Sequence, residues 1–446
     1  MNTEEVSLHL ELSESSRAAG NALAALAHAI AAHALRAHAR GMTAGSPQAL
    51  AVVATKYLKM RDYASAQYWY ELIIRVDPRV AIAHLNLAAI HSLRGDETTA
   101  RPYRERAYAL QRVFVEPIDN PTRVLLVLCA GRSVCNVPYE SLLNAGRSTV
   151  IKYAIDSADE SEDAMLPPFD VVFNAIGDAD VERQTIERLS RFAVTCNRPL
   201  LNRPDAVHGS RRDLLCASLA RLDDVVVAPC CRLHEPVLSR DALMARLVQA
   251  GIDGWPVLAR PVATHGGLGL HYCEGIEALE QAIGGIAGPL YLMRYIDYRS
   301  ADGHYRKYRL IYVDGVPHAY HLAISSHWMV HYVTSDMPTS AWKQEEERRF
   351  LADPKGVLGE RVMAVVARIG RELELEFAGI DLSILPNGRA LVFEANAMMH
   401  VRGEPGEGPL AYRNPVFNRI ALAFDAILAR KQAGHVSNAE QRQATP

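Results

Sequence analysis

The spacing of hydrophobic residues changes twice along the chain. Up to about residue 115 they recur at helical intervals, and "GNALAALAHAIAAHALRAHA" (20–39) is rich in alanine, the residue with the highest helix propensity. From "RVLLVLCAG" (123–131) to about residue 205, short apolar runs that suit buried parallel strands alternate with helical segments. Strands and helices then alternate less regularly. The pattern predicts an all-α region, a small parallel α/β domain and an α+β region, in that order.

A weak repeat with a period of 34 residues runs through the helical region, aligning Ala54 with Ala88 and Asp62 with Asp96. Small residues at matched positions allow the two helices of a pair to pack closely, and the period resembles that of tetratricopeptide repeats. Two repeats are fewer than a free-standing solenoid usually needs, so a plain helical bundle remains the alternative. Either arrangement assigns residues 1–115 to docking rather than to catalysis.

The stretch "AGIDLSILPNGRALVFEANAMM" (378–399) has the pattern of a β-hairpin. Apolar and polar residues alternate on both flanks, as they do in half-buried strands. Asn387-Gly388 is a strong signal for a two-residue turn, because both residue types tolerate positive φ. This turn predicts that Leu382 lies opposite Phe393 on an apolar face.

The same register places Asp381 directly opposite Glu394, although like charges across a strand pair destabilise a sheet. A cation between the two carboxylates removes this cost, and Asn396 adds an amide oxygen two residues further along the same face. Mg²⁺ suits such an incomplete set, because it completes its octahedron with water and phosphate oxygens. The pattern therefore predicts a magnesium site, with a surface hairpin whose acids point into solvent as the alternative.

A glycine-rich loop, "THGGLG" (264–269), follows the predicted strand "PVLARPV". Glycines let backbone N–H groups approach and cradle a phosphate, and Arg260 on the strand could hold one from the side. Alone this signal is weak, since such loops are common after strands. The sequence contains no P-loop motif.

Several motifs, in this order, resemble the ATP-grasp superfamily, which includes D-alanine–D-alanine ligase and glutathione synthetase. They are "PVLARPVATHGGLG", "LMRYID", "KYRLIYVDG" and "GIDLSILPNGRALVFEAN". The resemblance covers about residues 122–430. It implies a small α/β domain at 122–205, followed by an ATP-grasp domain at 206–430 whose two α+β subdomains grip ATP. Residues 435–446 are predicted to form a flexible tail.

The resemblance also implies roles for individual residues. It assigns two Mg²⁺ ions, with Mn²⁺ as the alternative, to Asp381, Glu394 and Asn396, and it makes Arg309 the residue that stabilises charge on the γ-phosphate. The implied nucleotide contacts are Arg212, Arg260, Met293, Arg294, Tyr295 and the lid glycines Gly266, Gly267 and Gly269.

Two features depart from the family pattern. Lysines usually touch the α- and β-phosphates, and Arg212 and Arg260 at these places keep the charge and can bind phosphate through two hydrogen bonds. Many members also carry a proline-glycine turn after the asparagine, where this chain has "ANAMMHV". The acceptor site therefore does not transfer by analogy.

The activity that the resemblance implies is ligation. ATP would phosphorylate a substrate carboxylate with release of ADP, and an amine, or less often a thiol, would displace phosphate from the acylphosphate. A peptide or protein substrate would suit the helical region. Two alternatives stay open: a non-catalytic nucleotide-binding adaptor that acts through the helical region, and a kinase-like phosphotransferase that does not ligate.

Composition changes this picture little. The 446-residue chain has 22% charged residues and a net charge of −3, so neither a nucleic acid nor a membrane is an expected partner. The acidic N-terminus lacks the basic residues of a signal peptide, which predicts a cytoplasmic protein. The seven cysteines form no C-x-x-C pair, and adjacent Cys230-Cys231 is interpreted as two buried hydrophobes. The family resemblance leaves a homodimer, paired through the small α/β domain, as an alternative to a monomer.

The sequence also assigns roles to two polar segments. The segment "AISSHWMVHYVTSDM" (323–337) contains candidates for contact with the acceptor: Ser325, Ser326, His327, His331 and Tyr332. Its two histidines do not form an H-E-x-x-H motif, which disfavours a metal pair. The run "KQEEERR" (343–349) predicts a solvated helix face, and Lys307 is left between a phosphate contact and a solvated position.

Overall fold

The computed structural model describes residues 3–42, 45–131, 135–143, 147–235, 239–264, 266–332 and 334–443. The chain forms two compact units. The first contains the chain up to Val115 together with residues 130–131 and Lys152–Leu166, and the second contains Glu116–Cys129, Cys135–Ile151 and the chain from Pro167 onward.

The first unit is mainly helical, as the sequence predicts. Its described residues form α1 (Thr3–Ala18), α2 (Ala22–Ala39), α3 (Ser46–Lys59), α4 (Tyr63–Val76), α5 (Ala81–Leu93) and α6 (Glu97–Leu110), followed by the strand β1 (Val113–Glu116). Consecutive helices pack on one another, and their shared core consists mainly of alanine, branched aliphatic and aromatic side chains. The alanines that the repeat aligns are all buried.

The two predicted repeats correspond to the helix pairs α3–α4 and α5–α6. The Asp62 side chain accepts a hydrogen bond from the Ser65 backbone N–H at 3.1 Å, and Asp96 accepts one from Thr99 at 3.1 Å. Each aspartate therefore caps the N-terminus of the second helix of its pair. The helix-pair repeat is present, and its identity as a tetratricopeptide repeat stays a prediction.

The strands that the apolar runs predict come next in the chain. They are β2 (Arg123–Cys129), β3 (Ser148–Ala154), β4 (Val171–Asn174) and β5 (Leu200–Leu201), with α7 (Arg183–Thr195) before β5. β2 pairs in parallel with β4, and β4 pairs in parallel with β5. Every residue of β4 is buried, as expected for a strand covered on both faces.

A four-stranded antiparallel sheet in the order β7-β10-β8-β9 follows. The elements of this region are α8 (Pro204–Gly209), α9 (Arg212–Leu219), β6 (Val225–Val227), β7 (Cys230–Leu233), α10 (Arg240–Gln249), β8 (Val257–Pro261), β9 (His271–Cys273), α11 (Ile276–Gly284) and β10 (Leu290–Arg294). β6 belongs to the next sheet, so the chain crosses between the two sheets through Ala228 and Pro229.

A five-stranded sheet in the order β12-β11-β13-β14-β6 completes the unit. Its further elements are β11 (Tyr305–Val313), β12 (Val316–Ser325), α12 (Ala341–Ala352), α13 (Pro354–Leu358), α14 (Glu360–Glu372), β13 (Phe377–Ile384) and β14 (Ala390–Asn396). Val313 pairs with Val316, so Asp314-Gly315 forms a two-residue turn, with φ of 52° and 74°. Asp-Gly is a residue pair that such tight hairpin turns favour.

The turn between β13 and β14 is longer than predicted. The Leu385 backbone N–H donates to the Arg389 carbonyl at 3.0 Å, and Ile384 pairs with Ala390, so the turn holds three residues, Pro386-Asn387-Gly388. Gly388 takes the left-handed conformation, with φ of 79°, as the last residue of this kind of hairpin turn requires. One extra turn residue shifts the pairing of the two strands by one position.

A bulge in β14 then corrects the shift. Leu382 pairs with Val392 rather than with Phe393, so that part of the predicted register is wrong. Phe393 is the extra residue of the bulge, and beyond it Asp381 pairs with Glu394, as predicted. The two carboxylates therefore meet because a longer turn and a bulge compensate for each other.

Gly370 in α14 lies against the β11–β12 hairpin. A Cβ atom on Gly370 would lie 2.5 Å from the Tyr312 ring and 2.6 Å from the Gly315 carbonyl oxygen. Because the backbone cannot move away cheaply, we expect Gly370→Ala to lower the free energy of unfolding by about 2 kcal/mol. Gly284→Ala is the control, since nothing lies within 4 Å of a Cβ there. Urea unfolding compares the two variants, and equal effects would contradict the close packing of α14.

The last helix, α15 (Asn414–Gln443), extends into the segment 435–446, for which the sequence predicts a flexible tail. No proline or glycine occurs between residues 435 and 443, so this stretch contains no helix-breaking residue. Residues 444–446 lie outside the described part. Among the described residues, no helix is long and apolar enough to cross a membrane.

Candidate functional site

A pocket of about 380 Å³ is lined by the four-stranded sheet and the five-stranded sheet. Every residue predicted for the site lines it except Gly269: Arg212, Arg260, Gly266, Gly267, Met293, Arg294, Tyr295, Arg309, Asp381, Glu394 and Asn396. Gly269 lies against Pro261 instead, and a Cβ atom there would be 3.0 Å from Pro261 Cδ.

Asp381 is almost fully buried, with 1% of its surface exposed. Arg309 lies across the β11–β13 ladder from it and donates from Nε to Oδ1 at 2.6 Å and from Nη2 to Oδ2 at 2.7 Å. The Lys307 ammonium lies 3.3 Å from Oδ2. Burial disfavours the Asp381 carboxylate, but Arg309 and Lys307 outweigh burial and hold its pKa well below the usual range. Asp381 is therefore ionised at neutral pH.

Glu394 is held by an arginine from a different element. Arg212, at the start of α9, donates from Nη2 to Glu394 Oε2 at 2.6 Å and from Nη1 to the Phe393 carbonyl at 2.7 Å. Burial disfavours the Glu394 carboxylate, yet Arg212 lowers its pKa despite the nearby charge of Asp381. Each carboxylate of the pair is therefore neutralised by an arginine of the chain: Asp381 by Arg309 and Glu394 by Arg212.

The oxygens of Asp381, Glu394 and Asn396 form an incomplete ligand set. Asn396 Oδ1 accepts a hydrogen bond from the Met398 backbone N–H at 2.9 Å. Among the described residues, no group of three or more His, Cys, Asp and Glu side chains could hold a metal ion. Two carboxylates and an amide fit Mg²⁺ that takes its other ligands from phosphate and water. They do not fit a closed protein cage.

Arg260 on β8 connects the four-stranded sheet to the glycine loop. It donates to the Thr264 carbonyl and, at 3.2 Å, to Thr264 Oγ1. Burial, reinforced by the neighbouring Arg212, lowers the pKa of Arg260 to about 10. Arg260 therefore remains a cation at neutral pH, and it lies on the same pocket wall as the loop.

The glycine loop lies against His331. Gly266 and Gly267 have φ of 66° and 75°, a conformation that residues with side chains rarely adopt. A Cβ atom on Gly267 would lie 3.1 Å from His331 Nε2, and one on Gly266 would lie 3.3 Å from His331 Cε1. Burial, followed by the charge of Lys307, lowers the pKa of His331, so its ring is neutral at pH 7. His265 of the loop lies outside the described residues.

Another part of the pocket lining is apolar. Tyr295 and Trp328 line the pocket, and their rings form a cluster with that of Tyr272, with centroids 5.1 to 5.6 Å apart. Met293 pairs with Leu258 across the β8–β10 ladder, and both line the pocket. An aromatic and aliphatic wall beside a cationic one suits a ligand that joins a planar base to a chain of phosphates.

Two of the five candidates named in the segment 323–337 line the pocket, and one further residue was missed. His331 and Tyr332 line the pocket, while Ser325, Ser326 and His327 are not among its lining residues. His321, which sequence reasoning missed, also lines it and is 5% exposed. Burial and then Arg309 lower the pKa of His321 well below its ordinary value. A single histidine within a strand carries no sequence signal for such a position.

Glu347 contradicts the predicted solvated face at 343–349. It is fully buried and accepts hydrogen bonds from the Leu322 backbone N–H at 3.0 Å and from the Tyr332 hydroxyl at 3.1 Å. Burial raises the pKa of Glu347. Its hydrogen bond with Tyr332 supports that residue of the pocket wall. The charged residues around Glu347 in the sequence do not indicate that it is buried.

The lowered pKa of Asp381 makes part of the stability depend on pH. The unfolded value is about 3.9 and the folded value is lower, so the unfolded chain binds the proton first. The contribution of Asp381 is then complete above about pH 5 and is lost as the pH falls through 4 and below. The difference in unfolding free energy between wild type and Asp381→Asn should shrink between about pH 6 and pH 3. Urea unfolding across this range tests it, and a constant difference would contradict an ionised, paired Asp381.

Comparisons with known proteins find distant structural similarity. No protein-family model and no curated protein sequence matches the chain. The D-alanine–D-alanine ligase from Coxiella burnetii matches with 11% identity and a TM-score of 0.39, over 70% of this chain and 99% of that one. N5-carboxyaminoimidazole synthase from Aspergillus clavatus matches with 11% identity and a TM-score of 0.41, over 66% and 76%.

The ATP-grasp ligase PsnB, bound to a precursor variant, Mg and ADP, matches with 12% identity and a TM-score of 0.37, over 69% and 99% of the two chains. Matches of this size assign no activity and no substrate to this chain. The structure itself has the element order that the sequence resemblance implies: a parallel α/β sheet, then two sheets that line one pocket. The predicted fold class, α/β and α+β after an all-α region, is confirmed.

Proposed function

We propose that this protein is an ATP- and magnesium-dependent ligase that joins a carboxylate to an amine and releases ADP. The observation that carries the proposal is the Asp381–Glu394 pair, opposed across a hairpin within a pocket that also contains cationic side chains and a glycine loop. Burying ionised groups costs folding free energy. A function that needs two carboxylates at one place explains why the chain bears this cost.

The charge around the pocket suits a triphosphate. Arg212, Arg260, Lys307 and Arg309 all line it, and guanidinium groups bind phosphate oxygens through paired hydrogen bonds. The backbone N–H groups of the glycine loop add further donors. The aromatic and aliphatic wall around Met293 would take the base.

Asp381, Glu394 and Asn396 would hold Mg²⁺, which supplies charge neutralisation for the phosphates when it is bound. Arg309 would stabilise the charge that develops on the transferred phosphoryl group, and its contact with Asp381 from the neighbouring strand supports this role. The loop that rests on His331 would cover the phosphates and exclude water from the acylphosphate.

The reaction requires no covalent nucleophile from the protein. An oxygen of the substrate carboxylate attacks the γ-phosphorus and ADP leaves. An amine then attacks the acyl carbon, phosphate leaves, and the amine proton passes to solvent. Positioning and electrostatic stabilisation supply the rate enhancement.

The helical unit is proposed to dock a peptide or protein that carries the carboxylate or the amine. Its matched helix pairs support this role, because stacked pairs present extended surfaces. The cytoplasmic location, the homodimer and the number of metal ions remain predictions.

The test is ADP release by the purified protein with MgATP and a panel of carboxylates and amines, with the products identified by mass spectrometry. A ligase requires both substrates and forms a product with their summed mass less one water. A phosphorylated acceptor that forms without an amine would identify a phosphotransferase. Binding of MgATP without ADP release would identify an adaptor, and either result would overturn the proposal.

A further inference from the structure

The charges of the helical unit are unevenly distributed. Residues 15–61 contain no Asp or Glu but six Lys and Arg residues, although acids slightly outnumber bases over the whole chain. Five of these cations are exposed on α2, on α3 or just after them: Arg36, Arg40, Lys56, Lys59 and Arg61. Elsewhere in the unit, Arg75 pairs with Glu5 and Arg104 pairs with Glu97. Among the described residues, the five exposed cations form no ion pair.

The helix dipole accounts for only part of this pattern. Cations in the last turn of a helix interact favourably with its negative end, and both α2 and α3 have them there. The same dipole favours acids in the first turn, yet neither helix has one. Because the surface of a soluble protein usually mixes both signs of charge, the missing acids indicate a surface that an anionic partner neutralises.

The exposed residues form one stripe on each helix. On α2 they recur at helical intervals and therefore share one face: Leu26, His33, Arg36 and Arg40. On α3 the corresponding stripe contains Val52, Lys56 and Lys59. His33 Nδ1 lies 2.6 Å from Oγ of Ser46, the first residue of α3, so the two stripes meet there. Together with Met60 and Arg61, these residues form what we call the α2–α3 surface.

The cations lie toward the two ends of α3. Arg36 and Arg40 are near its start, because they follow His33 on the same face of α2. Lys56 and Lys59 are in its last turn. The helix is about 20 Å long at 1.5 Å per residue, and Val52, between its ends, is 63% exposed. An extended peptide of about six residues spans this length.

A peptide fits the α2–α3 surface better than a membrane or a nucleic acid. Its exposed apolar side chains, Leu26, Val52 and Met60, are isolated from one another, whereas a helix that lies on a membrane presents a broad apolar face. Residues 15–61 contain no Phe or Trp, and their one tyrosine, Tyr57, is buried. Nucleic-acid bases would therefore find no exposed aromatic ring to stack on.

We propose that the α2–α3 surface docks an acidic peptide segment that has carboxylates at both ends of a short apolar stretch. The carboxylates pair with the cations at the two ends of α3, and the apolar residues contact Val52 and its neighbours. This charge complementarity selects acidic segments over neutral and basic ones. The docking itself is independent of ATP, and only the identification of the docked peptide as a substrate rests on the proposed ligase function.

Fluorescence anisotropy tests the docking on the full-length protein. The probe is a fluorescein-labelled peptide with paired glutamates at each end of a short leucine- and alanine-rich stretch. We expect micromolar binding that weakens about tenfold between low salt and about 0.5 M NaCl, because salt screens exposed charges. The same peptide with glutamine in place of every glutamate should not bind.

Two double variants remove the cations from one end of α3 at a time. Arg36→Gln with Arg40→Gln, and Lys56→Gln with Lys59→Gln, should each weaken binding of the acidic peptide by about tenfold. Glutamine has nearly the helix propensity of arginine and lysine, so both variants should keep their fold.

Arg101→Gln with Arg106→Gln is the matched control, because it removes two exposed cations from α6 of the same unit. It should bind the acidic peptide like wild type. An equal loss in this control, or equal affinity for the glutamine peptide, would overturn the inference. So would absence of binding at millimolar protein, and so would a preference for phosphatidylserine vesicles or a single-stranded oligonucleotide over the peptide.

The substrate role has a separate readout. In the ligation assay, Arg36→Gln with Arg40→Gln should raise the KM for a substrate that carries the acidic segment, while the α6 control should not. An unchanged KM would overturn the substrate role. If the wild-type protein ligates nothing, the ligase proposal fails, while the peptide titration still decides whether the α2–α3 surface docks acidic peptides.

Discussion

Replacing Arg309 with methionine should lower the free energy of unfolding by about 3 kcal/mol and stop ATP turnover. Asp381 is 1% exposed, and both of its oxygens accept hydrogen bonds from Arg309. Removing one partner of a buried ion pair leaves an uncompensated charge, at a cost of about 3–5 kcal/mol. Lys307, 3.3 Å from Asp381, offsets part of that cost. Urea unfolding at neutral pH measures the loss of stability, and ADP release measures turnover.

Arg306→Met is the matched control on the same strand. Arg306 also pairs with two carboxylates, but those of Asp302 and Glu346 are 46% and 19% exposed. Solvent screens such pairs, so we expect a loss of at most about 1 kcal/mol, with turnover unchanged. Equal losses in the two variants would contradict the burial argument. Full turnover by Arg309→Met would contradict the proposed role of Arg309.

Replacing Asp381 with asparagine should reduce ATP turnover by about 10³-fold or more, equivalent to about 4 kcal/mol of transition-state stabilisation. Asparagine keeps the size of the side chain but removes the charge that would hold Mg²⁺ and that balances Arg309 and Lys307. Initial rates of ADP release over a range of MgATP concentrations separate kcat from KM. A lower kcat is the expected signature, and an unchanged kcat would remove Asp381 from the mechanism.

Asp425→Asn separates loss of the site from loss of stability. Asp425 is also a buried aspartate in the second unit, and it pairs with Arg123 and, at 3.1 Å, with Arg147. It does not line the pocket. We expect Asp425→Asn to lower the free energy of unfolding about as much as Asp381→Asn does, because each variant leaves a buried arginine without its charge partner. Its turnover at a temperature where it is fully folded should match wild type.

The β13–β14 hairpin shows which features of the fold could be predicted from the sequence. Alternating hydrophobicity and an Asn-Gly turn are local signals, and they located both strands and the pairing of Asp381 with Glu394. The three-residue turn and the bulge at Phe393 were not predicted. Their two shifts in register cancel, so the pairing of Asp381 with Glu394 is the same as with neither of them. The Phe393 ring packs on Tyr298 with centroids 4.8 Å apart. Tyr298 is distant from Phe393 in the sequence, so no local pattern predicts this contact.

The sequence also did not predict which side chains pair with the two carboxylates. The sequence argument placed a metal ion between the two acids, whereas Arg309 and Arg212 approach them from β11 and α9. Which basic residues meet an acid depends on how the sheets and helices pack. Glu347 makes the same point, since its charged neighbours predicted solvent and the tertiary fold buried it. Helices and strands were recognised because their periodicity is local.

The most direct test of the account is thermal unfolding of wild type and Glu394→Gln with MgATP, with ATP alone and with magnesium alone. At a concentration one hundred times the dissociation constant, a ligand adds about 2.7 kcal/mol of stability. We predict that MgATP stabilises wild type, that ATP without magnesium stabilises it less, and that Glu394→Gln loses most of the magnesium-dependent part. A wild-type protein that millimolar MgATP does not stabilise would contradict the account.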